Sequence, residues 1–189
     1  MAPFAEARVS DKLRELLPPP EQPFFAAGDW NAVEAAIGTR LPADYKSFIG
    51  LYGAGCISRF LIIQSPFIWV AHGRNVGQEW ANWASMYHDF AKYGGQEIPY
   101  AIFPQPGGLL PFGSVADSHF LNWRMVGDPE RWPFVYYHRD KGFFEINGLS
   151  AMDFVLEAVT GCPPLLVLTG SESLFELPLR FAPYTGEAG

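Results

Sequence analysis

Between residues 118 and 147 the chain alternates side-chain character and then turns tightly, a pattern that adjacent antiparallel strands satisfy and a helix does not. From Ser118 to Val126, Phe120, Asn122, Arg124 and Val126 project one way, while Leu121, Trp123 and Met125 project the other. Successive strand residues point to opposite faces, so this is a strand with one large-residue face. Gly127-Asp128-Pro129 reads as a turn. Phe134 to His138 reads as a strand, Asp140-Lys141-Gly142 as a tight turn and Phe143 to Asn147 as the returning strand. A further strand is expected around Leu109 to Ser114, giving an antiparallel meander.

Helices precede and follow it. Ser10 can cap a short helix through Leu17, which Pro18-Pro19-Pro20 stops. Asp29 starts a second helix, with Trp30, Val33, Ala36 and Ile37 at helical spacing and Gly38 at its end. Pro42 opens a third, whose apolar stripe is Tyr45, Phe48, Ile49 and Tyr52. Ile57 to Gln64 reads as one strand, and Asn75 to Tyr93 as a longer amphipathic helix bearing Val76, Trp80, Trp83, Met86, Tyr87 and Phe90. Ser150 caps a last helix that closes at Gly161. The expected fold class is α+β, a single mainly antiparallel sheet flanked by helices. Residues 1–27 read as an N-terminal helix and Pro-rich linker, 28–162 as the main domain, and 163–189 as a C-terminal arm. Trp30, Tyr45, Phe48, Trp123 and Phe154 are expected in the core.

Composition excludes some classes of function. Hydrophobic residues are 49% of the 189 and charged residues 17%, enough to bury a core. Thirteen basic against 20 acidic residues give a net charge of −7. That opposes direct binding to nucleic acid or to an anionic membrane surface and suits a basic partner. No apolar run is long enough to span a bilayer. The charged first 17 residues do not read as a signal peptide. With only two cysteines, Cys56 and Cys162, the expected setting is reducing and cytoplasmic.

The chain has no phosphate-binding loop, no nucleophile elbow and no paired-histidine zinc motif. Asp117 and His119 could orient a general base, but they read more simply as a solvated pair at a turn. Asp128 and Glu130 could divide acid and base roles, yet their Gly-Asp-Pro-Glu setting is that of an ordinary turn. Cys56 leads into a strand and Cys162 follows a helix end, so neither has a cation or helix start to lower its pKa. No catalytic residue, cofactor or metal is expected. Trp80 and Trp83 share a helical face with Tyr87, a core stripe or a set of partner anchors.

Three ordered segments carry a resemblance. The first is Gly28-Asp29-Trp30-Asn31-Ala32-Val33-Glu34, then Ile37-Gly38, Leu41-Pro42-Ala43-Asp44-Tyr45-Lys46-Ser47-Phe48 and Tyr52-Gly53-Ala54-Gly55. The second is Leu110-Pro111-Phe112-Gly113, then Phe120-Leu121-Asn122-Trp123 and Gly127-Asp128-Pro129-Glu130-Arg131-Trp132-Pro133. The third is the strand pair followed by Ser150 to Gly161. Together they resemble the SUKH superfamily, the Smi/Knr-like proteins, over residues 28–161. Residues 67–105 and the segment from Pro163 look like additions to the family pattern. The resemblance implies one mainly antiparallel sheet, no catalytic residues, and an immunity protein that neutralises a toxin domain of nuclease or deaminase type. The alternative it implies is a regulatory or scaffold protein with no toxin partner. On either reading the partner surface is expected among Trp80, Trp83, Asp89, Glu97, Asp117, Asp128, Glu130 and Asp140.

Overall fold

A computed structural model describes residues 11–95, 97–116, 118–160 and 179–184. Helices α1 (Asp11–Leu16), α2 (Trp30–Ile37) and α3 (Ala43–Tyr52) lead into strands β1 (Gly55–Ile57) and β2 (Leu61–Ile63). Then come α4 (Phe67–Ala71), α5 (Val76–Gly94), β3 (Leu109–Val115), β4 (His119–Arg124) and a 3-10 turn (Pro129–Arg131). The chain continues through β5 (Phe134–His138), β6 (Gly142–Ile146), α6 (Ala151–Thr160) and β7 (Phe181–Pro183). The strands form one seven-stranded sheet, ordered β6-β5-β4-β3-β2-β1-β7, and every ladder is antiparallel. The protein is α+β, a single antiparallel sheet flanked by helices.

Side-chain alternation decides which helix covers which face. Leu121 and Trp123 of β4 lie opposite Tyr136 and Phe134 of β5. This face meets α3 and α6: Tyr45 packs edge-on against Trp123 at 4.9 Å, and Phe134 lies 4.3 Å from Phe154. Phe120 and Asn122 lie opposite Tyr137 and Val135 on the other face. There α5 sets Tyr87 at 5.5 Å and Phe90 at 5.2 Å from Tyr137. The expected single large-residue face of β4 is thus corrected: both faces are covered, so the polar Asn122 is buried as well.

Two polar groups fasten α5 to the sheet. At a bulge in β3 between Pro111 and Gly113, the buried Trp80 indole donates to the Pro111 carbonyl at 2.8 Å. Asn122 is wholly buried; its Oδ1 accepts from the Tyr87 hydroxyl at 2.7 Å and its Nδ2 donates to the Val135 carbonyl at 3.1 Å. Burial and the loss of solvation for a phenolate push the Tyr87 pKa well above its usual value.

Several expectations change in detail. The strand expected over Ile57–Gln64 is a hairpin. Ser58 and Arg59 both have positive φ, 47° and 67°, and Phe60 N–H donates to the Ile57 carbonyl at 3.0 Å, the geometry of a tight type I′ turn. Helix α4 was not expected. Trp30 is half-buried, wedged against Phe67 at 4.7 Å, whereas Tyr45, Phe48, Trp123 and Phe154 are buried as expected. Leu13 and Leu17, from the segment set apart at the N-terminus, belong to the same core as the main domain. Within the segment read as an arm, β7 pairs with β1 and extends the sheet. Cys162 and the expected helix stop at Gly161 lie outside the described residues.

Candidate functional site

Two polar arrangements lie at opposite ends of β4. With five residue steps between His119 and Arg124, they are separated by roughly 17 Å of strand.

The first is a cleft of about 240 Å³ where α3, α6 and the 3-10 turn converge. Its apolar walls include Trp123, Trp132 and Met152, and its polar groups include Asp44, Glu130 and Asp153. Helix starts leave amides without intrahelical partners, and the chain fills these with its own carboxylates. Glu130 accepts from the Ala43 amide through both oxygens, at 3.1 and 3.2 Å. Asp44 accepts from its own neighbour Tyr45 at 2.7 Å and from Met152 of α6 at 3.4 Å. Ser150 caps α6 by accepting from the Asp153 amide at 3.1 Å, which leaves the Asp153 carboxylate exposed at the rim. Asp128 caps the 3-10 turn through the Glu130 amide and stands 3.9 Å from Arg40. Trp132 is 6% exposed, and its indole N–H has no acceptor among the described residues. Among the described residues, no lysine, arginine or histidine lines the cleft. Its volume falls below the 300–1,000 Å³ typical of small-molecule pockets, so it suits a single inserted side chain better than a cofactor.

The second arrangement is a histidine pair. His119 and His138 sit one rung beyond the Phe120–Tyr137 pair of β4 and β5, with ring centroids 4.2 Å apart. His119 Nδ1 accepts from the Arg139 amide at 3.2 Å. His138 Nδ1 accepts from Asp140 and Lys141 at 3.1 and 3.2 Å. With Nδ1 accepting, the proton of each neutral ring sits on Nε2. A metal-bound histidine instead donates from its second nitrogen, so this hydrogen bonding opposes metal ligation. No group of three or more His, Cys, Asp or Glu among the described residues could hold a metal ion. Desolvation lowers both histidine pKa values; the neighbouring His138 and the nearby Lys141, respectively, push them down further.

The residues expected at a partner surface do not form one patch. Trp80 is a correction: it is wholly buried and bonded to Pro111, because it continues the inward row of Val76, Ala84 and Tyr87. Trp83 lies half-buried on the flank of α5, 6.5 Å from Trp69. Asp89 and Glu97 are exposed, on α5 and just beyond it, away from the cleft. Asp140 is exposed beside the histidines. Asp128 and Glu130 alone of the set meet, at the cleft edge, and they are capping groups instead of merely solvated turn residues. Asp117 lies outside the described residues, so the Asp117–His119 pair is not placed. Asp44, Asp153 and His138 were not singled out as site residues, since contacts that form between distant segments leave no local spacing to read.

A shallow apolar groove of about 600 Å³ runs between Phe25, Gly28, Gly50, Phe67 and Val70, with no ionisable group among the described residues that line it. No helix among the described residues is long and apolar enough to cross a membrane. No protein-family model, curated protein or solved structure matches the chain.

Proposed function

We propose that the protein is a non-catalytic, cytoplasmic binding protein of the immunity type, neutralising a basic toxin domain such as a nuclease or deaminase. The observation that carries this reading is the cleft: carboxylates of Asp44, Glu130 and Asp153 around two tryptophans, with no basic residue among the described residues that line it. Such a rim attracts a cationic side chain, and the indole rings offer it a face or an edge to pack against. The net charge of −7 adds long-range steering of a basic partner. Nuclease domains carry basic surfaces because they bind phosphates, so they fit this description. The ordered segments that resemble the SUKH superfamily support the same reading, and the cleft is lined by residues of all three of them.

The test is binding to the product of the adjacent gene, measured kinetically at two salt concentrations. Asp153→Lys reverses the rim charge whose carboxylate caps nothing, so folding should survive. Association should slow by roughly tenfold at low salt, with a flatter salt dependence. Unchanged kinetics would remove the cleft from the interface. Absence of binding by the unaltered protein would favour a regulatory scaffold with no toxin partner.

A further inference from the structure

Three backbone amides of the β5–β6 turn donate to two imidazole lone pairs, and that of Lys141 is shared with the His138 carbonyl at 3.2 Å. Arg139 donates to His119, while Asp140 and Lys141 donate to His138. A protonated imidazole carries N–H on both nitrogens and accepts no hydrogen bond. The first proton on either ring therefore removes the acceptor of at least one turn amide. A second proton would set two cations side by side on rings 4.2 Å apart.

We propose that His119 and His138 form a proton-sensitive latch, which holds the 139–141 turn closed when both rings are neutral and releases it in mild acid.

The surroundings favour the neutral pair. His138 is 6% exposed and His119 half-buried, so water cannot fully solvate a charge there. Arg139 and Lys141 oppose protonation of His119, and Lys141 opposes that of His138. Asp140 acts the other way on both rings. Tyr136 approaches both rings from β5, at 6.0 and 6.4 Å between centroids, and its own burial keeps it neutral. With the folded pKa values below the ordinary 6.5, the closed turn is fully stable above that pH. Stability is lost as the pH falls below 6.5 and levels off under the folded values. Each unit of lowering multiplies the opening constant by about ten in acid. The latch concerns the end of the sheet away from the cleft, so it does not depend on the binding role proposed above.

The test is amide hydrogen exchange on the whole protein between pH 7.5 and 5.0, corrected for the intrinsic pH dependence of exchange. Protection at Asp140 should fall in the unaltered chain as the pH drops below 6.5, tracking the NMR titration of the His138 ring. In His138→Asn, a side-chain oxygen takes the place of Nδ1 without titrating, so the acid-dependent loss should shrink severalfold. Equal loss in both proteins would overturn the latch, and so would constant protection in the unaltered chain. Should His138→Asn not fold, the ring titration decides: values at or above 6.5 refute the proposal, and values below it with parallel shifts of the turn amides support it.

Discussion

Removing the Tyr87 hydroxyl should cost far more than one oxygen atom's worth of packing. In Tyr87→Phe the ring remains against Tyr137 and Phe143, at 5.5 and 5.4 Å, and no large cavity forms. What is lost is the 2.7 Å bond to Asn122 Oδ1, between two side chains wholly buried from solvent. A buried polar atom left without its partner costs about 1–3 kcal/mol. Asn122→Ala should cost at least as much, because it strands the Tyr87 hydroxyl, deprives the Val135 carbonyl of a donor and leaves a small void. In Tyr87→Phe with Asn122→Ala, neither partner remains to be stranded. The double variant should therefore be less destabilised than the sum of the singles, by about 1–3 kcal/mol. Urea unfolding of the four proteins measures this. A loss of 2 kcal/mol corresponds to a fall in Tm of roughly 4–8 °C for a chain of this size. A Tyr87→Phe cost below about 0.5 kcal/mol, with the singles adding within about 0.5 kcal/mol, would refute the claim that this pair clamps α5 to the sheet.

Three further outcomes follow from the same structure. Trp80→Phe should destabilise by about 1–3 kcal/mol in urea unfolding, since the Pro111 carbonyl at the β3 bulge loses its donor. Asp29→Ala should cost about 1 kcal/mol, because its carboxylate caps α2 by accepting from Asn31 and Ala32; helical far-UV signal and Tm report it. Gly53→Ala should cost about 3 kcal/mol or more in Tm-derived stability. Gly53 has φ 71° and ψ −155°, a region essentially closed to other residues, and an added Cβ would collide with the Phe24 carbonyl.

The elements that could be read in the sequence are those whose signal is local. Period-two alternation located β4 to β6, and cap-plus-stripe patterns located α2, α3 and α6. The β1–β2 hairpin was hidden because its turn uses Ser58 and Arg59 at positive φ, where glycine or asparagine would have announced it. Helix α4 has five residues, too few to establish a period. Trp80 and Trp83 are three apart on α5, so their directions differ by about 60°, which separates a buried ring from a flanking one. The cleft was illegible for another reason. Glu130 reaches the start of α3 across 87 residues, and Asp44 reaches α6 across 108, distances over which no spacing rule operates. The histidine pair needed the β4–β5 register, which the 3-10 turn between those strands conceals.

Covering both faces of the sheet with helices has a consequence for where a ligand can bind. Most of the large aromatic side chains on the sheet faces are committed to the interior, so the strand ends and the helix starts come into question. A helix start is by nature a site for anions, since its free amides and dipole both attract negative charge. Here the start of α3 is already occupied by Glu130, and the start of α6 by Ser150 and Asp44. A phosphate entering the cleft would have to displace those carboxylates and then face Asp153. A cation meets no such cost, because the hydrogen bonds at the helix starts can stay in place while it approaches the carboxylates. The same residues that stabilise the fold thus turn an anion-attracting junction into a cation-attracting one. That inversion weighs against a nucleotide or nucleic-acid ligand at the cleft and in favour of a protein partner that inserts a basic side chain.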